Sequence, residues 1–286
     1  PEVSPHALPR VPPGRRFAAT VSAREALGCL VWLTVTVPGW PGARPGQFAL
    51  LQAEPSGCFL ARPLSVADEE GDSVSFLIAP IGAGTRELSA LTPGAVLWVL
   101  GPLGNGFPLE AMLPTEASRL LVVGGGVGVA PFPLLLRQLG PPERPAAPAP
   151  AEVVVLLGFR DGEQAAGAEP VVEAVASLRA RDVGCRVVVT TEDGSAGESG
   201  LVTEALQRAL RPGDAVAVCG PPAMSRAVWS LCAQTPETRT WFSLEAGMAC
   251  GVGSCHGCVI PLADGSLARV CAEGPVFTGD QVWGRA

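Results

Sequence analysis

The chain has 286 residues, of which 48% are hydrophobic and 16% charged, and its formal net charge at pH 7 is −7. That length suits two domains, or two domains and a small module, and it is ample for sizeable cores. Because the net charge is negative, electrostatics gives no reason to expect a nucleic acid or an anionic membrane as a partner. The composition therefore predicts a soluble globular protein.

Residues 1–16 are predicted to form a flexible tail, because they hold five prolines and no periodic apolar pattern. They lack the apolar core of a secretory signal peptide. We therefore expect a cytoplasmic protein. Structural disulfides are rare in that compartment, so clusters among the nine cysteines call for a metal or redox explanation.

Residues 17–113 are predicted to form a small antiparallel β-barrel. Strand-like runs recur at 29–37, 47–53, 73–79 and 95–101, and clusters of turn-forming residues separate them. Even spacing of short strands with Gly and Pro between them is typical of such barrels.

Two short motifs in this region could bind phosphate. The first is RPLS at 62–65, in which the cation of Arg62 and the hydroxyl of Ser65 could hold a diphosphate and a flavin edge. The second is a Gly84-Thr85 turn that opens a helix and offers N–H groups to phosphate. Each motif is weak alone, because Arg62 could close a surface salt bridge and the turn could be only a helix cap.

Residues 114–240 alternate between strand-like and helix-like segments, which predicts a parallel, doubly wound α/β sheet. The apolar run at 120–139 approaches the length of a transmembrane helix. Its glycines and Pro131 favour a buried strand, a glycine turn and a helix instead. The proline-rich insert at 140–152 is predicted to be an exposed loop.

The glycine turn carries the pattern Gly126-x-Gly128-x-x-Pro131, which is close to the G-x-G-x-x-G fingerprint of dinucleotide binding. Such glycines let a pyrophosphate approach a helix N-terminus, and proline suits the first helical turn. A tight turn without a ligand is the alternative. A second segment, CGP at 219–221, follows a later strand at the edge of the sheet where ligands bind, although its cysteine could be merely buried.

Residues 241–286 are predicted to form a cysteine module. Four cysteines follow the spacing C-x4-C-x2-C-x12-C: Cys250, Cys255, Cys258 and Cys271. The first three reproduce the plant-type [2Fe–2S] spacing, and the glycines between them can aim N–H groups at the sulfurs. A structural zinc site is the alternative, although it usually has two C-x2-4-C pairs. A Rieske centre needs two histidines, and only His256, predicted to be a loop residue, is near. Single cysteines in apolar runs are predicted to be packing residues: Cys29, Cys58, Cys185 and Cys232.

The order of these motifs resembles the ferredoxin–NADP reductase superfamily, in which the barrel binds FAD and the α/β domain binds NAD(P). The tail narrows the resemblance, because FSLEAGMACGVGSCHGCVIPL…RVCAEGPVF is similar to the C-terminal module of the electron-transfer subunits of NAD-dependent (class 1B) dihydroorotate dehydrogenases. It runs from about residue 17 to residue 282. The implied fold is an antiparallel flavin-binding barrel, a parallel nucleotide-binding α/β domain and a small [2Fe–2S] module.

The resemblance also implies site residues. FAD contacts fall to Arg62, Pro63, Leu64, Ser65, Leu77, Ile78, Ala79, Gly84 and Thr85. NAD contacts fall to Gly124, Gly126, Gly128, Pro131, Gly220 and Pro221, with Cys219 near the nicotinamide. Many reductases carry an aromatic residue where Leu64 stands, but an aliphatic residue is the pattern of the dihydroorotate subunits. NAD is chosen by family alone, because Arg160 could meet a 2′-phosphate whereas Asp161 would favour a free ribose hydroxyl.

The implied partner is an FMN-containing catalytic subunit, two copies of each subunit forming a heterotetramer in pyrimidine (UMP) biosynthesis. Electrons from dihydroorotate would pass through the [2Fe–2S] cluster and FAD of this chain to NAD+. A first alternative is the small subunit of a bifurcating NADH-dependent ferredoxin–NADP oxidoreductase or of a sulfhydrogenase. A second is a zinc-stabilised binding module that keeps the fold without redox chemistry.

Overall fold

The computed structural model describes residues 15–115, 118–139 and 150–285. The strands are β1 (Arg15–Leu27), β2 (Leu30–Thr36), β3 (Phe48–Ala53), β4 (Arg62–Ser65), β5 (Asp68–Glu70), β6 (Ser73–Ile78), β7 (Val96–Leu103), β8 (Arg119–Gly125), β9 (Glu152–Phe159), β10 (Cys185–Thr191), β11 (Glu198–Ser199), β12 (Ala215–Cys219), β13 (Arg239–Ser243), β14 (Val259–Pro261), β15 (Leu267–Arg269) and β16 (Val276–Thr278). The helices are α1 (Ala83–Ser89), α2 (Leu109–Met112), α3 (Phe132–Arg137), α4 (Gly162–Ala165), α5 (Glu169–Arg179), α6 (Val202–Ala209), α7 (Pro222–Ala233) and α8 (Gly279–Trp283).

The first sheet has seven antiparallel strands in the order β4-β3-β7-β1-β2-β6-β5. Alternate residues of these strands face one apolar core, among them Leu33, Val35 and Phe76, each fully buried. Among the described strands, the edge strands β4 and β5 do not pair with each other, so the sheet curls around its core as a half-barrel. The antiparallel, barrel-like domain predicted from the sequence is therefore confirmed.

The second sheet has the order β11-β10-β9-β8-β12-β13-β16 and is parallel except for β16. Its central strands are apolar on both faces: Leu120 and Val122 of β8 face one core, whereas Leu121 and Val123 face another. Helices α3 and α5 cover the first face, and α6 and α7 cover the second. This is the predicted doubly wound arrangement.

Strands β8 and β12 are neighbours, yet the chain runs from β8 towards one edge of the sheet and from β12 towards the other. Such a reversal opens a crevice at the carboxyl ends of the two strands, where ligands bind in open α/β sheets. The crevice faces the half-barrel, because Leu27, Leu30 and Leu77 of the first sheet share a core with residues of the second.

The segment between β13 and β16 carries the cysteines and a two-stranded hairpin of β14 and β15. It packs on the half-barrel, where Leu50 and Leu103 share a core with Cys258 and Cys271. The sequence predicted that this module begins at residue 241, but the structure places Trp241 within β13 of the α/β sheet. Burial explains the difference, because the TWF segment needs neighbours on both faces, which the parallel sheet supplies.

Residues 1–14 of the predicted tail and 140–149 of the predicted loop lie outside the described residues. Arg15 and Arg16 open β1, so the predicted tail extends two residues too far. No helix in the described part of the chain is long and apolar enough to cross a membrane. The apolar run at 120–139 forms β8, a short 3-10 turn and α3.

Candidate active site

A cleft lies where the half-barrel, the α/β domain and the cysteine segment meet. It has about 840 Å³ of empty volume, part of it open to solvent. The first sheet contributes Phe48 and residues of β4 and β6, the turn after β8 contributes Gly128, and residues 243–248 close the third side.

The half-barrel wall of the cleft contains the predicted FAD residues of β4 and β6. Pro63, Leu64 and Ser65 line it, as do Leu77 and, directly after β6, Ala79. These side chains form an apolar slot with one hydroxyl, which suits the flat ring of a flavin. Ile78 does not contribute its side chain, because alternate residues of a strand point to opposite faces and Ile78 is fully buried in the half-barrel core.

Arg62 and Gly84 lie together beside this wall. The Arg62 Nε atom is buried and has no hydrogen-bond partner among the described residues. A Cβ atom at position 84 would lie only 2.0 Å from that nitrogen, so glycine is required for the guanidinium to lie against the start of α1. A buried N–H without an acceptor is costly, so this nitrogen of the cationic side chain fits an anion such as the diphosphate of FAD.

Thr85 lines the same cleft. Its Oγ1 accepts a hydrogen bond from the Gly82 N–H at 3.0 Å and donates to the Gly82 carbonyl at 3.2 Å. The hydroxyl therefore stabilises the turn into α1 and holds the first helical N–H groups at the cleft.

The predicted NAD residues surround the carboxyl ends of β8 and β12. Gly124 lies at the end of β8, Gly126 and Gly128 form the 3-10 turn, and Pro131 precedes α3. Across the crevice, Gly220 follows β12. Pro221 caps α7. The two glycine turns touch: a Cβ atom at position 128 would lie 2.6 Å from Gly220 Cα.

This contact leads to a first prediction. We expect Gly128→Val to raise the KM for NADH by about 10- to 100-fold, because a side chain there collides with backbone and the overpacking cost of about 1–3 kcal/mol distorts the crevice. The visible absorption of bound flavin and cluster should remain. Steady-state kinetics with ferricyanide as electron acceptor measure the KM, and Gly57→Val, where a Cβ meets only an ordinary contact at 3.6 Å, is the control. An unchanged KM would move the nucleotide site elsewhere.

Cys219 ends β12, paired with Gly124 on one side and Ser243 on the other. Its side chain is 2% exposed. Burial raises the pKa of the Cys219 thiol to about 12, so the group stays protonated at neutral pH and is no nucleophile. Its strand neighbour Ser243 lines the cleft, and the buried side chain of Cys219 belongs to the core shared by the two sheets, so its predicted place near the nicotinamide stays a prediction.

Arg160 and Asp161 follow β9 at the surface. Arg160 Nε lies 2.9 Å from Asp161 Oδ2, while Oδ1 of Asp161 accepts a hydrogen bond from the Gln164 N–H that starts α4. The hydrogen bond from the Gln164 N–H, followed by that from Arg160, lowers the pKa of Asp161. The carboxylate thus partners the arginine that could otherwise meet a 2′-phosphate.

Glu245 is a cleft residue that the sequence reading did not single out. Its side chain lines the cleft while still reached by solvent. Desolvation by the surrounding protein raises the pKa of this carboxyl. The carboxyl belongs to the stretch after β13 that lines the cleft together with Leu244 and Ala246. The one sequence signal for Glu245 is its position five residues before Cys250, at the start of the cysteine motif.

The four cysteines of the motif form two pairs. The Sγ atoms of Cys258 and Cys271 lie 3.2 Å apart, and both residues are buried. Cys250 and Cys255 form the second pair, in which the Cys255 N–H donates to Cys250 Sγ at 3.4 Å. Cys255 is exposed, so one pair faces the core and the other faces the surface.

Backbone N–H groups point at these sulfurs. Gly253 N–H donates to Cys271 Sγ at 3.1 Å, and Gly257 N–H donates to Cys255 Sγ at 3.4 Å. Burial opposes ionisation of Cys250, but backbone N–H groups outweigh it and lower the pKa of that thiol to about 6. Burial and the neighbouring Cys258 raise the pKa of Cys271 to about 12.

The paired arrangement bears on the kind of metal site. A tetrahedral zinc site places four ligands on one ion, whereas a [2Fe–2S] cluster takes two thiolates on each of two irons. The two pairs and their N–H donors therefore fit a binuclear cluster. His256 is an exposed loop residue with a φ of 58°.

Comparisons with known proteins agree with this geometry. Residues 245–283 match the family model described as the iron–sulfur cluster binding domain of dihydroorotate dehydrogenase B. Residues 122–229 match that of the oxidoreductase NAD-binding domain.

Curated relatives and solved structures extend the match. The electron transfer subunit of dihydroorotate dehydrogenase B (NAD(+)) from Listeria monocytogenes is 36% identical over 84% of this chain and 88% of its own. The same subunit from Caldanaerobacter subterraneus is 34% identical over 85% and 89%. An NADH-dependent reduced ferredoxin-NADP oxidoreductase structure has a TM-score of 0.72 and 25% identity, over 92% of this chain and 88% of that one. A Neisseria gonorrhoeae ferredoxin NADP+ reductase solved with FAD and NADP shares the fold, with a TM-score of 0.59 and 19% identity over 76% and 89%.

Proposed function

The chain belongs to the family of electron transfer subunits of NAD+-dependent dihydroorotate dehydrogenase B. We therefore propose that it accepts electrons from a catalytic subunit that oxidises dihydroorotate, and that it delivers these electrons to NAD+. It is an oxidoreductase subunit with FAD, a [2Fe–2S] cluster and NAD as its redox partners. We place it in pyrimidine (UMP) biosynthesis on the basis of the relatives' name.

One observation carries this proposal: the cysteine site and the cleft share a wall. Phe48, Leu244 and Met248 line the cleft and also pack in the core around Cys258 and Cys271. A cluster on the cysteines and a flavin in the cleft would be separated by single side chains. That arrangement suits electron transfer between two centres in one chain.

When bound, the [2Fe–2S] cluster supplies single-electron transfer and FAD couples it to the two-electron chemistry of NAD+. The residues of the chain hold the components in place. Arg62 and the start of α1 would hold the diphosphate, and the apolar slot of Leu64 and Leu77 would orient the ring and exclude water. Gly128 and Gly220 let the two turns meet closely at the crevice where the nicotinamide nucleotide would bind, and the cysteines would ligate the irons.

The exposed pair of thiols suggests where the partner docks. We propose an FMN-containing catalytic subunit, assembled with this chain as two copies of each, that approaches the side of Cys255. The buried pair would then face FAD. A cytoplasmic location is part of the proposal, because thiols that bind iron persist in reducing compartments.

The second candidate is the small subunit of a bifurcating NADH-dependent ferredoxin–NADP oxidoreductase. The observation that favours it is the structural similarity at a TM-score of 0.72 over 92% of the chain. The curated dihydroorotate relatives are more similar in sequence, at 36% against 25% identity. The dihydroorotate assignment is therefore the stronger one.

The test is an affinity purification of this chain from its native extract, followed by an anaerobic assay of dihydroorotate-dependent NAD+ reduction by the complex. We expect a flavin-containing partner of barrel size, roughly 200 to 400 residues, and activity with dihydroorotate. A larger partner with further clusters and no response to dihydroorotate would move the chain to the bifurcating group.

A further inference from the structure

An ion pair flanks Cys271. Arg269 ends β15, two residues before this cysteine, and Glu273 lies two residues after it in the segment that follows the strand. The Glu273 carboxylate accepts hydrogen bonds from the Arg269 backbone N–H at 2.7 Å and from its Nε at 3.0 Å. Nη2 of the same guanidinium also donates to Glu273. The guanidinium is thus held in one orientation by several contacts to a single carboxylate.

The free arm of the guanidinium reaches the loop of the other cysteine pair. Arg269 Nη1 donates to the Gly253 carbonyl at 2.8 Å, and Gly253 lies between Cys250 and Cys255. The N–H of that same glycine donates to Cys271 Sγ at 3.1 Å, against 3.4 Å for the other backbone N–H contacts to these sulfurs. One side chain therefore ties the two cysteine loops together.

Hydrogen bonds attach the segment that carries Glu273 to the half-barrel. Asn105, in the loop after β7, donates through Nδ2 to the Glu273 carbonyl at 3.0 Å and to the Val276 carbonyl at 2.9 Å. Its Oδ1 accepts the Val276 N–H at 2.9 Å. Pro275, within the same segment, lines the cleft. Contacts thus continue from the cleft wall to Arg269 and on to the sulfur of Cys271.

We propose that Arg269 is a positioning residue of the iron–sulfur centre: it holds Gly253 by its carbonyl, so that the N–H on the other side of the same residue stays on Cys271 Sγ, and it places a positive charge beside Cys258 and Cys271. The proposal rests on the proposed function in one respect, that the four cysteines hold a [2Fe–2S] cluster. Reduction adds one electron and hence one negative charge to such a cluster. N–H donors and a nearby cation favour the reduced form and raise the reduction potential.

The test is a potentiometric titration of the full chain, loaded with FAD and cluster and monitored by electron paramagnetic resonance. Arg269→Met removes the charge and the donors at similar length. At the wild-type midpoint potential we expect its ratio of oxidised to reduced cluster to rise about tenfold, which is about 59 mV for a one-electron couple. Arg269→Lys keeps the positive charge but loses the several N–H donors that the planar guanidinium directs at Glu273 and Gly253. Its ratio of oxidised to reduced cluster should therefore rise by a smaller factor, about threefold. Iron and FAD contents should remain at the wild-type level.

Arg208→Met, on the exposed end of α6, is the matched control and should titrate like the wild type. Where Arg269→Met fails to assemble a cluster, Arg269→Lys decides by itself. A wild-type potential in Arg269→Lys overturns the positioning role, because the charge alone would then account for any effect of Arg269→Met. If the wild-type chain itself shows no [2Fe–2S] signal, the proposed function is contradicted. Failure of the proposed function is therefore seen in the wild type, whereas failure of the positioning role is seen only in the variants.

Discussion

The Cys255→Ser variant should lose its bound iron and at least about 100-fold of the electron transfer between the partner subunit and NAD+. Even the outer-shell contacts of a metal site are worth about 10- to 100-fold, and a lost ligand costs more. Cys255 belongs to the exposed pair and has no part in the cleft, so FAD should remain bound. Reduction of ferricyanide by NADH should therefore continue near its wild-type rate.

Iron determination, flavin absorbance and the two assays together check this result. The matched control is Cys58→Ser, a partly exposed cysteine of the loop before β4 that lies outside the motif. It should keep iron, flavin and both activities. Full iron content in Cys255→Ser would refute the ligand assignment, and loss of flavin as well would show that the cysteine segment and the cleft do not function separately.

The Arg62→Ala variant should retain FAD about 10- to 100-fold more weakly than the wild type. Hydrogen bonds to charged groups are worth about 1.5–3 kcal/mol, and each 1.4 kcal/mol is tenfold in affinity. The buried Nε of Arg62 has no partner among the described residues, so the variant breaks no protein hydrogen bond of that atom. Its effect should therefore appear in cofactor binding and little in the thermal stability of the apoprotein.

Flavin fluorescence released on serial dilution measures the retention. Gly84→Ala is a second probe. Its Cβ would lie 2.0 Å from Arg62 Nε, so the guanidinium would have to move although its charge remains. This variant should also retain FAD more weakly than the wild type. Arg16→Ala, on the exposed start of β1, is the control. Complete flavin occupancy of Arg62→Ala at low protein concentration would argue that the diphosphate lies elsewhere.

The parts of the site that follow from the sequence are those whose chemistry is encoded locally. Cys250, Cys255 and Cys258 are close along the chain, so their spacing alone indicates a common centre. The glycine turn at 126–128 is equally local, because strand, turn and helix succeed one another within about 20 residues. The alternation of strands and helices in the α/β domain likewise predicts its two-faced sheet.

Other features depend on contacts between distant segments. Asn105 reaches Val276 across 171 residues, and no periodicity marks either residue. Glu245 is one acidic residue among many until the fold places it on the cleft. The sequence does not predict β1, because most of its residues are exposed and its apolar alternation is weak, and the predicted start of the cysteine module at residue 241 falls inside β13.

The antiparallel pairing of β13 with β16 sets Ser243 opposite Val276, so the entire iron–sulfur segment leaves and re-enters the sheet at adjacent positions. The segment is therefore an insertion between two adjacent strands. Its excision, with the two strands joined by a two-residue hairpin turn, would leave the path of the remaining chain unaltered. The uncovered Leu50 and Leu103 would then need polar replacements. The same topology would let one insertion or deletion add or remove the single-electron relay together with the wall that residues 244–248 and Pro275 give the cleft.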